Sequence, residues 1–118
     1  ARQYLQSAIE AKGRILALLP HIPQVVAVLA AVSRAGGCIY SCGNGGSACD
    51  AIHFTEELVA RYLRERPGIR AAHFADPGIL TCWGNDYEFA TVFSRCVENH
   101  LKERDALVVF TMSGNSSN

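Results

Sequence analysis

Hydrophobic positions along this chain follow two rhythms, one helical and one continuous. From Ala1 to Leu19, the residues Leu5, Ile9, Leu16 and Leu19 keep mostly to one face, which predicts an amphipathic helix with Gly13 as its weak point. Pro20 and Pro23 interrupt the pattern. A second stripe of Val25, Val28, Leu29 and Val32 predicts a helix from about Pro23 to Ala35, ended by Gly36-Gly37. Cys38 to Ser41 then reads as a buried strand, followed by the glycine-rich turn Cys42 to Ser47 and a helix from Ala48 to Arg64. Ile69 to Ala75 reads as a second strand, ended by the turn Asp76-Pro77-Gly78. Ile79 to Trp83 is short and apolar and reads as a helical turn or loop. Gly84-Asn85-Asp86 follows, then a helix from about Tyr87 to Leu101 with Phe89, Val92, Phe93, Cys96 and Val97 as its stripe. Ala106 to Phe110 is apolar throughout, as suits a parallel strand covered on both faces.

Strands alternating with helices predict an α/β fold, a three-layer α/β/α sandwich on a parallel sheet, with helices over about 1–35 ahead of it. Three strands are fewer than a doubly wound domain needs. The 118 residues are therefore expected to be one domain's front part, with the α/β portion starting near residue 38. The two leading helices have a plain role as cover for the sheet. Ile15, Ala17 and Leu18 broaden their apolar surface, which suggests packing against another subunit.

The organising stretch is the strand–turn–helix from Cys38 to Arg64. Gly43, Gly45 and Gly46 leave the turn without Cβ atoms, so its backbone can approach a ligand closely. Ser47 falls where the helix N-cap is expected, with Asp50 three residues on as an approximate capping box. Such a helix start presents N–H groups and a positive dipole end to a ligand above the sheet. Ala48, Ala51, Ile52, Thr55, Leu58, Val59 and Tyr62 form the helix's apolar stripe, while Asp50, His53 and Glu57 point elsewhere. An i,i+4 His/Glu pair can ligate one metal ion; by spacing alone a surface ion pair is the commoner outcome. The last strand runs into Thr111-Met112-Ser113-Gly114-Asn115-Ser116-Ser117, which repeats the first corner. Hydroxyls and backbone N–H groups gathered there suit a phosphate monoester. The alternative is a serine-rich disordered end. The lysine of a nucleotide P-loop is missing, which favours a phosphorylated small molecule over a nucleotide.

Eleven basic residues balance eleven acidic ones, and no basic face argues for nucleic acid. No apolar run reads as long enough to span a membrane, and no signal peptide is visible, so a cytoplasmic location is expected. The five cysteines show no CxxC spacing and read as small buried residues or free thiols of a reducing compartment.

Ser41-Cys42-Gly43-Asn44-Gly45-Gly46-Ser47, Asp50-Ala51-Ile52-His53-Phe54-Thr55-Glu56-Glu57-Leu58, Arg61-Tyr62, Arg66-Pro67-Gly68, Gly84-Asn85-Asp86 and Ser113-Gly114-Asn115-Ser116 occur in one order. Together they closely resemble the bacterial phosphoheptose isomerases of the sugar-isomerase (SIS) domain superfamily, over essentially the whole chain. The resemblance implies a flavodoxin-like, five-stranded parallel sheet and a homotetramer with active sites at subunit interfaces. It implies conversion of sedoheptulose 7-phosphate to D-glycero-D-manno-heptose 7-phosphate, toward the heptose of lipopolysaccharide or related glycans. Asn44, Gly45 and Gly46 match a substrate-contacting loop, with Ser47 next to it. His53 and Glu57 match a zinc-ligand pair, and Glu57 also matches the catalytic carboxylate. Asn85 and Asp86 match a substrate-contacting pair, and Thr111, Met112, Ser113 and Ser116 match the phosphate loop. Where the family usually has Ser-Thr-Ser, this chain has Thr111-Met112-Ser113, so any contact at Met112 is through its backbone. The family's remaining glutamine and histidine of the metal and acid/base site match nothing in these residues.

Ketose-to-aldose isomerisation through an enediol needs a base beside the carbon acid and a group that polarises the carbonyl. Glu57 is the candidate for the first, and a metal on His53 and Glu57 for the second. Beside a purely structural reading, in which the loops are only tight turns and against which the ordered set of motifs argues, two rival readings stand. One is a non-catalytic SIS adaptor or regulator of the kind that associates with a replication initiator, against which the presence of both His53 and Glu57 argues. The other is an isomerase of a different sugar phosphate.

Overall fold

The structure, a computed structural model, describes residues 1–118. The chain divides into two compact units, Ala1–Ala31 and Val32–Asn118.

The first unit is helical. Helix α1 spans Arg2–Ile15, a 3₁₀ segment spans Leu16–His21, and α2 (Ile22–Arg34) begins in this unit. None of the three elements buries a residue. Leu5, Ile9, Leu16, Leu19, Val25 and Val28 are all more than half exposed. Pro20 does not break the run: it lies inside the 3₁₀ turn, and Pro23 falls in the first turn of α2, where its missing N–H leaves nothing unpaired. The helical run Arg2–Arg34 is therefore long and apolar enough, by length and composition alone, to cross a membrane. This corrects the reading that no such run exists, which took the two prolines as breaks.

The second unit is a parallel sheet with strand order β2-β1-β3. Strand β1 spans Ile39–Gly43, β2 Ala71–His73 and β3 Ala106–Phe110. Ser41 pairs with His73 on one side and Val108 on the other, and Gly43 pairs with Phe110. Helix α3 (Gly46–Val59) connects β1 to β2. Helices α4 (Pro77–Asp86) and α5 (Val92–His100) connect β2 to β3.

The faces of β1 alternate with the period of two that the pleat demands. Cys42 packs into an apolar cluster with Phe74, Val92, Phe93 and Cys96, and Tyr40 and Leu107 border it. Ser41 points to the other face, fully buried against α3. Its hydroxyl donates to the Ala51 carbonyl at 2.9 Å, so the Thr55 hydroxyl, 2.8 Å away, must donate to Ser41 Oγ. A buried hydroxyl without such partners would cost roughly 1–3 kcal/mol. The pair clamps α3 at one rotation on the sheet, with Ala51 and Thr55 inward.

Several boundaries differ from those read in the sequence. Helix α3 ends at Val59, not Arg64, because Arg66 donates to the carbonyls of Glu57 (2.6 Å) and Leu58 (2.9 Å) and takes up the helix's free acceptors. Of its apolar stripe only Ala51 and Thr55 are buried; Ile52, Val59 and Tyr62 are exposed. The second strand is shorter than expected. Ile79–Trp83, read as a helical turn or loop, is helical and forms the middle of α4, which Asp76 caps by accepting from the Ile79 N–H at 2.8 Å, with Pro77 opening the helix. Gly84-Asn85-Asp86 consequently closes α4, and the next helix starts at Val92 after a 3₁₀ turn, Phe89–Thr91. Strand β3 is not covered throughout, since Val109 is 59% exposed. All five cysteines are free, with Cys49 and Cys82 exposed and the other three buried.

Candidate active site

The chain leaves β1 for β2 on one side and returns to β3 on the other. The crevice between the carboxyl ends of β1 and β3 is where such a sheet opens for a ligand. A pocket of about 510 Å³ lies there, lined by Gly43, Asn44 and Ser47 from the first corner and Thr111, Ser113 and Ser116 from the second. Its volume is in the range of small-molecule sites.

Backbone geometry builds the first corner. A Cβ on Gly43 would come within 2.7 Å of the Ser47 carbonyl group and 2.9 Å of the Phe110 carbonyl oxygen, so only glycine lets the two corners meet. Gly45 is the helix N-cap with φ +54°, a left-handed conformation that disfavours any side chain. The cap is thus Gly45 rather than Ser47, no side chain caps α3, and Ser47 lies in the first helical turn. The Ser47 N–H closes the turn on the Asn44 carbonyl at 3.0 Å, while Gly46 opens the helix and its N–H has no intrahelical acceptor. Ser47, in the first turn of α3, lines the pocket while Gly45 and Gly46 do not, so the positive end of α3 lies beside it.

In the second corner the hydroxyls hold their own loop. Thr111 Oγ1 accepts from the Gly114 N–H at 2.9 Å and Ser113 Oγ from the Asn115 N–H at 3.2 Å. Those two N–H groups are occupied within the loop, so of the hydroxyls and backbone N–H groups expected to gather here, the N–H groups of Gly114 and Asn115 are spent and the hydroxyls remain as donors. Each hydroxyl keeps its proton to donate. The Met112 side chain is 98% exposed. Burial pushes the Cys42 thiol above its ordinary pKa, and the neighbouring Cys96 thiol adds to the shift. The thiol under the pocket thus stays uncharged at neutral pH and does not oppose an anion.

His53 and Glu57 share a separate groove with Asp50, Phe54, Tyr62 and Phe110, on the outer side of α3. Phe110 borders both cavities and packs tilted against Phe54, with ring centroids 5.6 Å apart and an interplanar angle of 59°. His53 Nε2 lies 3.3 Å from Glu57 Oε1 and 3.9 Å from Glu56 Oε2. The three ligand atoms lie within 4.8 Å of one another, close enough for one cation. Glu56 was not singled out by the sequence, although its i+3 spacing from His53 is the signal that finds it. Asn85 and Asp86 line neither cavity; Asn85 Nδ2 donates to Asp86 Oδ1 at 2.8 Å on the exposed end of α4. The structure thus brings Asn44, Ser47, Thr111, Met112, Ser113 and Ser116 together, sets His53 and Glu57 in the adjoining groove, and leaves Asn85 and Asp86 apart.

The phosphoheptose isomerase of Pectobacterium atrosepticum is 44% identical over 120 residues, covering 99% of this chain and 62% of the relative. That of Edwardsiella ictaluri is 46% identical over 118 residues, covering 100% of this chain and 59% of the relative. The structure of a phosphoheptose isomerase from Francisella tularensis superposes with a TM-score of 0.92 at 36% identity, over 99% of this chain and 62% of that one. The chain spans about three fifths of the length of these relatives. The SIS domain family model runs from residue 3 to residue 118, through both corners and the helix between β1 and β2, and the chain belongs to that family.

Proposed function

We propose that the protein to which this chain belongs is a sugar-phosphate aldose–ketose isomerase, converting sedoheptulose 7-phosphate to D-glycero-D-manno-heptose 7-phosphate. The observation that carries the reading is the pair of corners at adjacent strand ends, with a carboxylate and an imidazole one cavity away behind Phe110. The Thr111, Ser113 and Ser116 hydroxyls hold the phosphate, and the α3 terminus adds its dipole. That remote binding energy fixes the sugar's register over the reacting carbons. Asn44, Gly45, Gly46 and Ser47 contact the sugar chain. The names of the relatives, at 44% and 46% identity, support the substrate.

Glu57 is the base that moves the proton between adjacent carbons. Its Oε1 is turned to His53, which leaves Oε2 for the transfer. The donor set of one imidazole nitrogen and carboxylate oxygens suits zinc, and the i,i+4 spacing of His53 and Glu57 is that of helical zinc motifs. These two residues, with Glu56 in reach, would hold the ion, which would supply Lewis-acid polarisation of the substrate carbonyl. A carboxylate committed to a cation is a weaker base, so the division between the two oxygens matters. Asn85 and Asp86 are assigned to substrate contact in the assembled protein. The assembly we propose is a homotetramer with interface active sites, which the exposed apolar residues of Ala1–Ala31 support. Heptose supply for lipopolysaccharide or related glycans, in the cytoplasm, is the corresponding role.

The exposed Met112 favours a second reading, an isomerase of another sugar phosphate, since the loop has one hydroxyl fewer than its usual pattern. Incubating the full-length protein with sedoheptulose 7-phosphate and other ketose phosphates, with zinc or with chelator, separates the readings. Heptose phosphate formation that requires zinc is the expected result. Turnover of a different ketose alone favours the second reading, and no turnover of any ketose favours a non-catalytic SIS protein.

A further inference from the structure

Asn44 and Asn118, 74 positions apart, face each other as a cyclic amide pair. Asn44 Nδ2 donates to Asn118 Oδ1 at 2.7 Å, and Asn118 Nδ2 donates to Asn44 Oδ1 at 3.1 Å. Both are partly buried, and both line the pocket between the corners. A carboxamide has two N–H donors and an oxygen with two lone pairs. The ring consumes one N–H and one lone pair from each side chain, and leaves each the other. It also fixes which way round each amide lies, because turning one alone would set N–H against N–H and oxygen against oxygen.

The first corner needs such a tether. Between Asn44 and the helix stands only Gly45, which is exposed and has no side chain to pack, and the helix itself opens on Gly46. The turn bond from Ser47 holds only the Asn44 carbonyl, and the amide ring is the link that ties the Asn44 side chain to the opposite loop.

We propose that Asn118 is a positioning residue. It joins the two corners across the pocket and holds the Asn44 carboxamide with its second N–H turned toward an oxygen of the bound sugar phosphate. The identity of that ligand rests on the isomerase reading above; the pairing does not. The expected consequence is that Asn44 and Asn118 act as one unit.

The test is a double-mutant cycle on the full-length protein with Asn44→Ala, Asn118→Ala, the double variant, and Asn118→Asp. Steady-state kinetics with sedoheptulose 7-phosphate and amide hydrogen exchange over residues 44–48 are the readouts. Asn118→Ala is expected to raise KM about tenfold, the size of one net hydrogen bond, with a smaller change in kcat. Exchange over 44–48 is expected to accelerate. The double variant should be no worse than Asn44→Ala. Asn118→Asp should fail like alanine, because it sets a second oxygen against Asn44 Oδ1. Effects of the two single variants that multiply in the double variant, or exchange unchanged by Asn118→Ala, would overturn the inference. If the wild-type protein turns over no ketose phosphate, the isomerase reading fails, and the exchange cycle alone still decides the pairing.

Discussion

His53 Nε2 lies 3.3 Å from Glu57 Oε1, across one turn of α3 and away from the inward residues Ala51 and Thr55. The distance is that of i,i+4 neighbours, and the pair's outward direction follows from a clamp on the opposite side of the helix, where Ser41 and Thr55 fix α3 on β1. Core and site are thus two faces of one helix, and the first sets the second. Replacing His53 by alanine is expected to weaken zinc binding by more than the roughly 10–100-fold that loss of an outer partner costs. Competition with a chromophoric chelator measures it. Affinity equal to wild type would remove His53 from the metal site.

Ser41→Ala leaves the Thr55 hydroxyl buried without its acceptor. It should cost about 1–3 kcal/mol of unfolding free energy. Ser41→Ala with Thr55→Val removes both polar groups and should cost less than the sum of the single variants. Urea denaturation reads both values, and strict additivity would mean that the two hydroxyls do not act as a pair.

If the pocket hydroxyls hold a phosphate as proposed, loss of one, in Thr111→Val or Ser113→Ala, is expected to raise KM for a sugar phosphate about 10–100-fold, since hydrogen bonds to charged groups contribute roughly 1.5–3 kcal/mol. The corresponding unphosphorylated sugar should bind equally to wild type and variants. Equal losses for both ligands would place the hydroxyls elsewhere in recognition.

Asp105 joins the start of β1 to the turn before β3. Its Oδ1 accepts from the Cys38 N–H at 2.7 Å and its Oδ2 from the Lys102 N–H at 2.8 Å. These two bonds, the Cys38 bond foremost, hold its carboxyl below the ordinary carboxylate range. A depressed native pKa stabilises the fold above the unfolded value, near 3.9, and that stabilisation fades as pH falls toward the lower native value. Asp105→Asn should therefore be less stable than wild type at pH 7, with a gap that narrows below about pH 4. Thermal unfolding across that range checks it; a gap independent of pH would contradict the assignment.

Much of this arrangement is legible in the chain itself. Continuous apolar runs mark β1 and β3, and the glycine turn between β1 and α3 marks the corner where Gly43 and Gly45 are sterically required. Helix α4 is not, because Asp-Pro-Gly serves equally to end a strand and to cap and open a helix, and only the Asp76 bond to Ile79 decides. The end of α3 is hidden for a related reason: no glycine or proline stops it, and the stop comes from Arg66 folding back. In the site, the outward face of His53 and Glu57 follows from periodicity. The Asn44–Asn118 ring does not, since its partners are joined only by the topology that sets β1 beside β3.

The most direct measurement is the rate of isomerisation of sedoheptulose 7-phosphate in deuterated water by the full-length zinc-loaded protein and its Glu57→Gln variant. Wild type should form the aldose with solvent deuterium on the carbon next to the carbonyl. Glu57→Gln should lose roughly 100–10,000-fold in rate, the range for a positioned base. A variant that isomerises at the wild-type rate would contradict the account.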